Sequence, residues 1–263
     1  MAKKRKYKPL TRKAKFRLAL VIAAGLLIMA LVIGALVFTV KGIVGLLDRS
    51  GEGAGEGDGT APVASEQIDT EPVATVILDP GHGGSDGGAV AELDGTEIIE
   101  KDIDVEVTGM VKSLLERQNI EVILTREEDV DMDLKERTKF ANETGGDLFV
   151  SLHCNTSEED ASANGLECYY EKQGDKGKEL AANIMAAAEA TGSIETRELR
   201  TEMMYVVRFT DMPATLVEMG FMTNEEELEK LCRTSYRQIL AEAIADGILK
   251  TLGVEAAEAD SIE

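Results

Sequence analysis

Between residues 73 and 253, short apolar runs alternate with stretches of helical periodicity, and this alternation constrains the chain more than any other feature. The runs at 75–79, 121–125, 147–153, 166–170, 204–207 and 214–219 are rich in Val, Ile, Leu and aromatic residues and have strand length. Between the first two, Ile103, Val107, Met110, Val111, Leu114 and Leu115 recur at helical spacing. A last helix is expected from Ser235, where Gln238 three residues on gives a capping-box pattern, to a stop near Gly253. Strand–helix alternation of this kind predicts a single α/β domain with a mostly parallel central sheet flanked by helices.

What precedes this body is of a different kind. Residues 18–40 form 23 positions without a charge, about 35 Å of helix at 1.5 Å per residue, enough to span a bilayer core of about 30 Å. The 17 residues before them carry nine Lys/Arg and no acid, a tip that the positive-inside rule keeps in the cytoplasm. The reading is an uncleaved, single-pass membrane anchor rather than a signal peptide, with everything C-terminal to it outside. Residues 41–72 then read as a flexible tether, since DRSGEGAGEGDGTAPVASEQIDTEP offers almost nothing large and apolar to bury. Residues 254–263 read as a solvated acidic tail.

Charge narrows the partners. The chain carries 28 Lys+Arg against 49 Asp+Glu. Outside the basic tip that leaves 19 basic residues, so the body lacks the positive footprint a nucleic-acid binder needs. Three cysteines, Cys154, Cys168 and Cys232, do not make a disulfide scaffold.

The chain has two histidines, and both fall at the carboxyl ends of expected strands: His82 in DPGHGG and His153 in SLHCN. Open α/β sheets place their ligands at that edge. The glycines around His82 allow a sharp turn and a close approach, while the Gly-Lys-Ser/Thr ending of a phosphate loop is absent. A catalytic zinc takes three protein ligands and keeps one position open, so two histidines call for a third donor. Glu100 at the start of the first long helix is one choice; Glu92 and Glu97 compete by position. Glu218 stands apart. In ATLVEMGF it is a single acid in an apolar run, where ionisation is costly unless the group is paired or near a metal. Such surroundings raise a carboxyl pKa towards that of a working general base.

DPGHGG, EKD at residues 100–102, SLHCN and LVEMGFMTN, in this order, resemble the zinc-dependent N-acetylmuramoyl-L-alanine amidases, the type 3 amidases. The likeness covers about residues 73–252, and LTREEDV and LKERTKFAN are similar to further family segments. The resemblance implies zinc held by His82, Glu100 and His153, and a catalytic role for Glu218. It also points to Arg197 as a substrate-orienting residue, with a surface salt bridge as the alternative. Two positions depart from the family pattern: Gly87 after Asp86, and Cys154 after the second histidine. Cys154 reads as a small buried filler, the alternative being a soft metal competitor. No inhibitory helix of the kind some members insert after the second-histidine strand is visible.

The activity so implied is hydrolysis of the amide between N-acetylmuramic acid and L-alanine of the peptidoglycan stem peptide, by zinc-activated water with Glu218 as proton carrier. Two alternatives use the same residues differently: a non-catalytic wall-binding scaffold on an amidase fold, and a zinc peptidase. The expected location is the cell membrane, with the catalytic domain outside, facing the wall.

Overall fold

The computed structural model describes residues 71–171 and 175–255. The expected basic tip, anchor and all but the last two residues of the tether lie outside these, as does the acidic tail beyond residue 255. Among the described residues no helix is long and apolar enough to cross a membrane.

The elements follow in the order β1 (Ala74–Pro80), β2 (Val90–Leu93), β3 (Thr96–Ile99), α1 (Glu100–Glu116), β4 (Ile120–Leu124), α2 (Leu134–Thr144), β5 (Leu148–Asn155), β6 (Leu166–Tyr170), α3 (Asp175–Ala190), β7 (Thr196–Arg200), α4 (Tyr205–Arg208), β8 (Ala214–Phe221), α5 (Glu225–Leu231) and α6 (Thr234–Leu252). Six strands form one sheet in the order β4-β1-β5-β8-β6-β7, and β2 and β3 form a separate hairpin. β4, β1, β5 and β8 run parallel. β6 is antiparallel to β8 and parallel to β7. The sheet is therefore mixed but mostly parallel.

The central strands are apolar on both faces because both faces are covered. Val76 and Leu78 of β1 enter the larger core with Val150 and Leu152 of β5 and Val217 and Met219 of β8. Ile77, Phe149 and Leu216 point the other way, into a smaller core closed by Ala141 of α2 and Val206 and Val207 of α4. Helix α1 buries Ile103, Val107, Val111 and Leu115 in a single stripe against the larger core. Full burial of such a side chain contributes about 1.5–3 kcal/mol.

Three expectations differ from the structure. Residues 204–207 do not extend a strand; Tyr205–Arg208 make one helical turn, which brings the adjacent Val206 and Val207 onto the same core, as alternation in a strand would not. The strand in that region is β7, TRELR, whose charges suit an exposed sheet edge and hide it from an apolar search. Helix α6 starts at Thr234 with Arg233 as N-cap and no side-chain cap bond, and Gln238 bonds Glu242 instead. A capping box is instead formed by Asp133 with Glu136, at the head of α2. The stop at Gly253 is as expected: its φ is 71°, and Val254 donates back to the Leu249 carbonyl while its side chain rests on the core.

Candidate metal centre

Strand β1 delivers His82 through a tightly held loop. His82 has φ 53°, a left-handed conformation for a residue with a side chain. Two buried arginines fix it there. Arg126 donates to the Pro80 and Gly81 carbonyls at 3.3 and 2.7 Å. Arg137 donates to the Pro80 carbonyl at 2.8 Å and also to that of His82. The buried Asp79 anchors the assembly, accepting from Arg137, Thr125 and Ser151 at 2.7, 2.5 and 2.7 Å. Glycines let the parts crowd together. A Cβ on Gly81 would lie 2.4 Å from His153 Cε1 and 2.7 Å from Asp104 Oδ2, and one on Gly88 would lie 2.5 Å from Glu100 Oε2.

Three donors converge as a result. His82 Nε2 and Glu100 Oε1 are 3.0 Å apart, His153 Nδ1 and Glu100 Oε1 3.1 Å, and His153 Nδ1 and His82 Nε2 3.2 Å. Ligands at 2.0–2.1 Å from one tetrahedral zinc stand about 3.3 Å from each other, so this nearly equilateral triangle fits such an ion with little adjustment. Two imidazoles and a carboxylate also suit zinc chemically. The other ring nitrogen of His82, Nδ1, lies 3.0 Å from Asp86 Oδ2, which fixes the ring in the manner of a metal-bound histidine. Glu100 is further held by the Ala89 and Cys154 backbone N–H groups, at 2.7 and 3.1 Å.

The electrostatics show how strongly these groups interact. Burial pulls the His82 pKa down, but its bond to Glu100 and the charges of Glu100 and Asp86 outweigh this and raise it to about 9. Burial pushes Glu100 up, and the bonds to His153 and His82 more than reverse this, taking it to about 2.

Glu218 of β8 lies in register with His153 on β5 and with Glu167 on β6. Its Oε2 is buried without a hydrogen-bond partner. Burial raises its pKa to about 7; the charges of Glu100 and Glu167 add to the rise, and His153 and His82 oppose it. The fold thus brings His82, Glu100 and His153 together, with Glu218 in register beside His153. Glu92 and Glu97, the competing acids, face each other across the β2–β3 hairpin.

Arg197 is placed differently from a free substrate contact. Its Nε donates to Glu167 at 2.6 Å, its Nη1 to the Asn164 carbonyl at 3.3 Å, and its guanidinium stacks 5.2 Å from the Phe221 ring. The geometry is the salt bridge of the two sequence alternatives, although 40% of the side chain is exposed. Cys154 is buried, and burial pushes its thiol pKa well up; its Sγ sits 3.8 Å from Asp104 Oδ1. This is the filler role.

Two residues went unremarked in the sequence. Asp104 is fully buried one turn after Glu100, with Oδ2 unpartnered, and offers a carboxylate atom within 4.8 Å of the donor atoms of His82, Glu100 and His153. Burial raises its pKa well above its ordinary value, with the charges of Glu100 and Glu218 adding to this. An acid between Ile103 and Val107 on the buried face of a helix was the available signal. Glu167 in LECYY is, like Glu218, a lone acid in an apolar strand; it is buried and accepts from Arg197, Arg200, Asn155 and Tyr169.

A cleft of about 830 Å³ opens over His82 and Glu100, bordered by residues 88–94 and by Thr223, Glu225, Leu228 and Glu229. Residues 156–165, between β5 and β6, contain turns and no helix.

The family model of the N-acetylmuramoyl-L-alanine amidases matches residues 76–250. The chain belongs to this amidase family. Among relatives, it is 36% identical over 178 residues to the protein YqiI of Bacillus subtilis, covering 66% of this chain and 82% of that one. It is 33% identical over 196 residues to the N-acetylmuramoyl-L-alanine amidase LytC of the same organism, 72% of this chain but only 38% of LytC. The solved structure of the amidase AmiC2 of Nostoc punctiforme superposes with a TM-score of 0.65 at 36% identity, over 70% of this chain and 99% of that one. The amidase match takes in all four motifs and every residue of the converging site.

Proposed function

We propose that this chain is a zinc-dependent peptidoglycan amidase, tethered to the membrane, that cleaves the bond between N-acetylmuramic acid and L-alanine of the stem peptide. The observation that carries the reading is the 3.0–3.2 Å triangle of His82, Glu100 and His153 with Glu218 in register beside it. The family supplies the bond; the arrangement supplies the means.

His82, Glu100 and His153 would hold the ion. When bound, zinc supplies Lewis acidity that polarises the amide carbonyl and lowers the pKa of water. Glu218 does the proton work. A carboxyl raised to about 7 is balanced between holding and releasing a proton near neutrality. Glu218 takes a proton from the attacking water and passes it to the leaving amine of L-alanine. Its unpartnered Oε2 leaves a lone pair free for that transfer. Asp86 and the two arginines keep His82 oriented throughout, so no reorganisation is needed during reaction.

The tether is inferred from residues 1–72: a basic tip, an uncharged span and a Gly/Glu-rich linker. Anchoring would hold the acidic body near the wall by effective concentration rather than by charge attraction.

The test is mass spectrometry of purified peptidoglycan digested by the full-length chain with zinc. Free stem peptides with an L-alanine amino terminus are the expected product. Cuts confined to peptide bonds would make the chain a peptidase, and intact peptidoglycan a scaffold.

A further inference from the structure

Strand β2 borders the cleft in an unusual way. All seven residues from Gly88 to Asp94 line it, while none of β3 does. Consecutive strand residues point to opposite faces. A strand that lines a cavity with every residue therefore presents its edge, that is, its backbone. The hydrogen-bond alternation identifies which groups are offered. Glu100 N–H bonds the Ala89 carbonyl, and Asp94-Gly95 close a two-residue turn with Leu93 opposite Thr96. The bonded pairs are then 89/100, 91/98 and 93/96, and Val90 and Glu92 turn their N–H and C=O groups outward, away from β3. Among the described residues, no backbone or side-chain group bonds them.

Away from His82 the cleft is acidic. Glu92, Asp94, Glu158, Glu225 and Glu229 line it, and among the described residues no Lys or Arg does. Of these five acids, only Glu229 has an ion-pair partner among the described residues, Arg233 at 3.3 Å.

We propose that the outward edge of β2 binds the peptide side of the substrate as an added strand, running from the scissile amide at His82 and Glu100, and that the surrounding carboxylates select a peptide bearing a side-chain ammonium. This rests on the amidase reading and names what the site prefers. The edge supplies two residues of main-chain pairing at the i, i+2 spacing that strand addition uses. The carboxylates supply charge complementarity that a neutral or acidic peptide lacks. Continuity with His82 and Glu100 fixes the occupant as the chain whose amide is cut.

The experiment compares three defined muramyl peptides on the full-length enzyme with zinc: muramyl-L-Ala-D-isoGln, the same extended by L-Lys, and the same extended by Nε-acetyl-L-Lys. The lysine compound is expected to have a KM about fivefold below that of the acetylated one at low salt, with the difference shrinking at high salt, as for a few solvent-exposed ion pairs. Equal KM values with turnover of all three would overturn the charge selection while leaving the amidase reading intact. Turnover of none would strike the amidase reading itself. Two variants separate charge from backbone. Glu92→Gln and Glu92→Pro both remove the carboxylate, but only the proline removes the outward N–H, a change an edge strand tolerates. Glu92→Pro is expected to raise KM several-fold beyond Glu92→Gln, with zinc content and circular dichroism unchanged. Equal KM values for the two folded variants would overturn strand addition.

Discussion

Glu218 and His153 are register partners on adjacent parallel strands, so the proposed base and a proposed metal ligand are fixed relative to each other by backbone hydrogen bonds rather than by a loop. Proton transfer and metal binding can therefore be separated by mutation. Glu218→Gln keeps size and shape but cannot accept a proton. Hydrolysis should fall by at least ~100-fold, the usual span of general-base catalysis, with zinc content still near one per chain by elemental analysis. Loss of zinc in this variant would recast Glu218 as a ligand.

His153→Ala should behave in the opposite sense, losing zinc and hydrolysis together, because it removes one corner of the donor triangle. The fold should survive, since the apolar core does not depend on the ion. A zinc titration of His153→Ala that matches the parent chain would exclude His153 from the site.

Zinc affinity should depend on pH in a particular window. In the metal-free protein His82 is raised to about 9, so binding below that pH must displace a proton. The apparent Kd should fall about tenfold per pH unit as pH rises towards about 9 and then level off. The same shift bears on stability. The raised His82 stabilises the metal-free fold fully below about 6.5, and this contribution is lost as pH rises through about 9. Glu100, lowered to about 2, contributes above its ordinary 4.5 and loses that contribution as pH falls through about 2. A pH-independent Kd between 6 and 9 would contradict the protonated His82.

The pH profile of kcat/KM should have an acid limb no higher than about 7, where Glu218 must ionise. A bound dication nearby moves it down, not up. A limb well above 7 would assign it to another group.

Arg137→Met should destabilise the fold by about 3–5 kcal/mol, because it strips the buried Asp79 of its ion pair and leaves the Pro80 and His82 carbonyls short of a donor. Denaturant midpoints measure this. Arg137→Lys should recover little, since a single ammonium does not reproduce the fork that reaches four acceptors, Asp79 and the Pro80, His82 and Met132 carbonyls.

The sequence made the chemistry more legible than the architecture. His82, His153 and Glu218 stood out because rare or charged residues at the ends or middles of apolar strands have few physical reasons to be there. The central strands were legible for the same reason, being apolar on both faces. β7 was not, because TRELR owes its strand to pairing with β6 and not to burial. The turn at Tyr205–Arg208 differs from the expected strand because VV suits a strand by propensity, and only packing into the core that holds Phe149 decides that both valines face inward. Asp104 escaped because a helix hides which of its acids face the core until the helix is docked. The role of Arg197 turned on Glu167, a partner 30 residues away that no local pattern announces.

The glycines at 81 and 88 have a consequence for any attempt to redesign this protein. Neither has a side chain, yet each occupies space that His153, His82, Glu100 or Asp104 would otherwise lose. A library that varies the visible ligands while treating these two positions as neutral spacers would fail for reasons of volume and not of chemistry. Moving this centre to another scaffold means transplanting its two vacancies as faithfully as its donors.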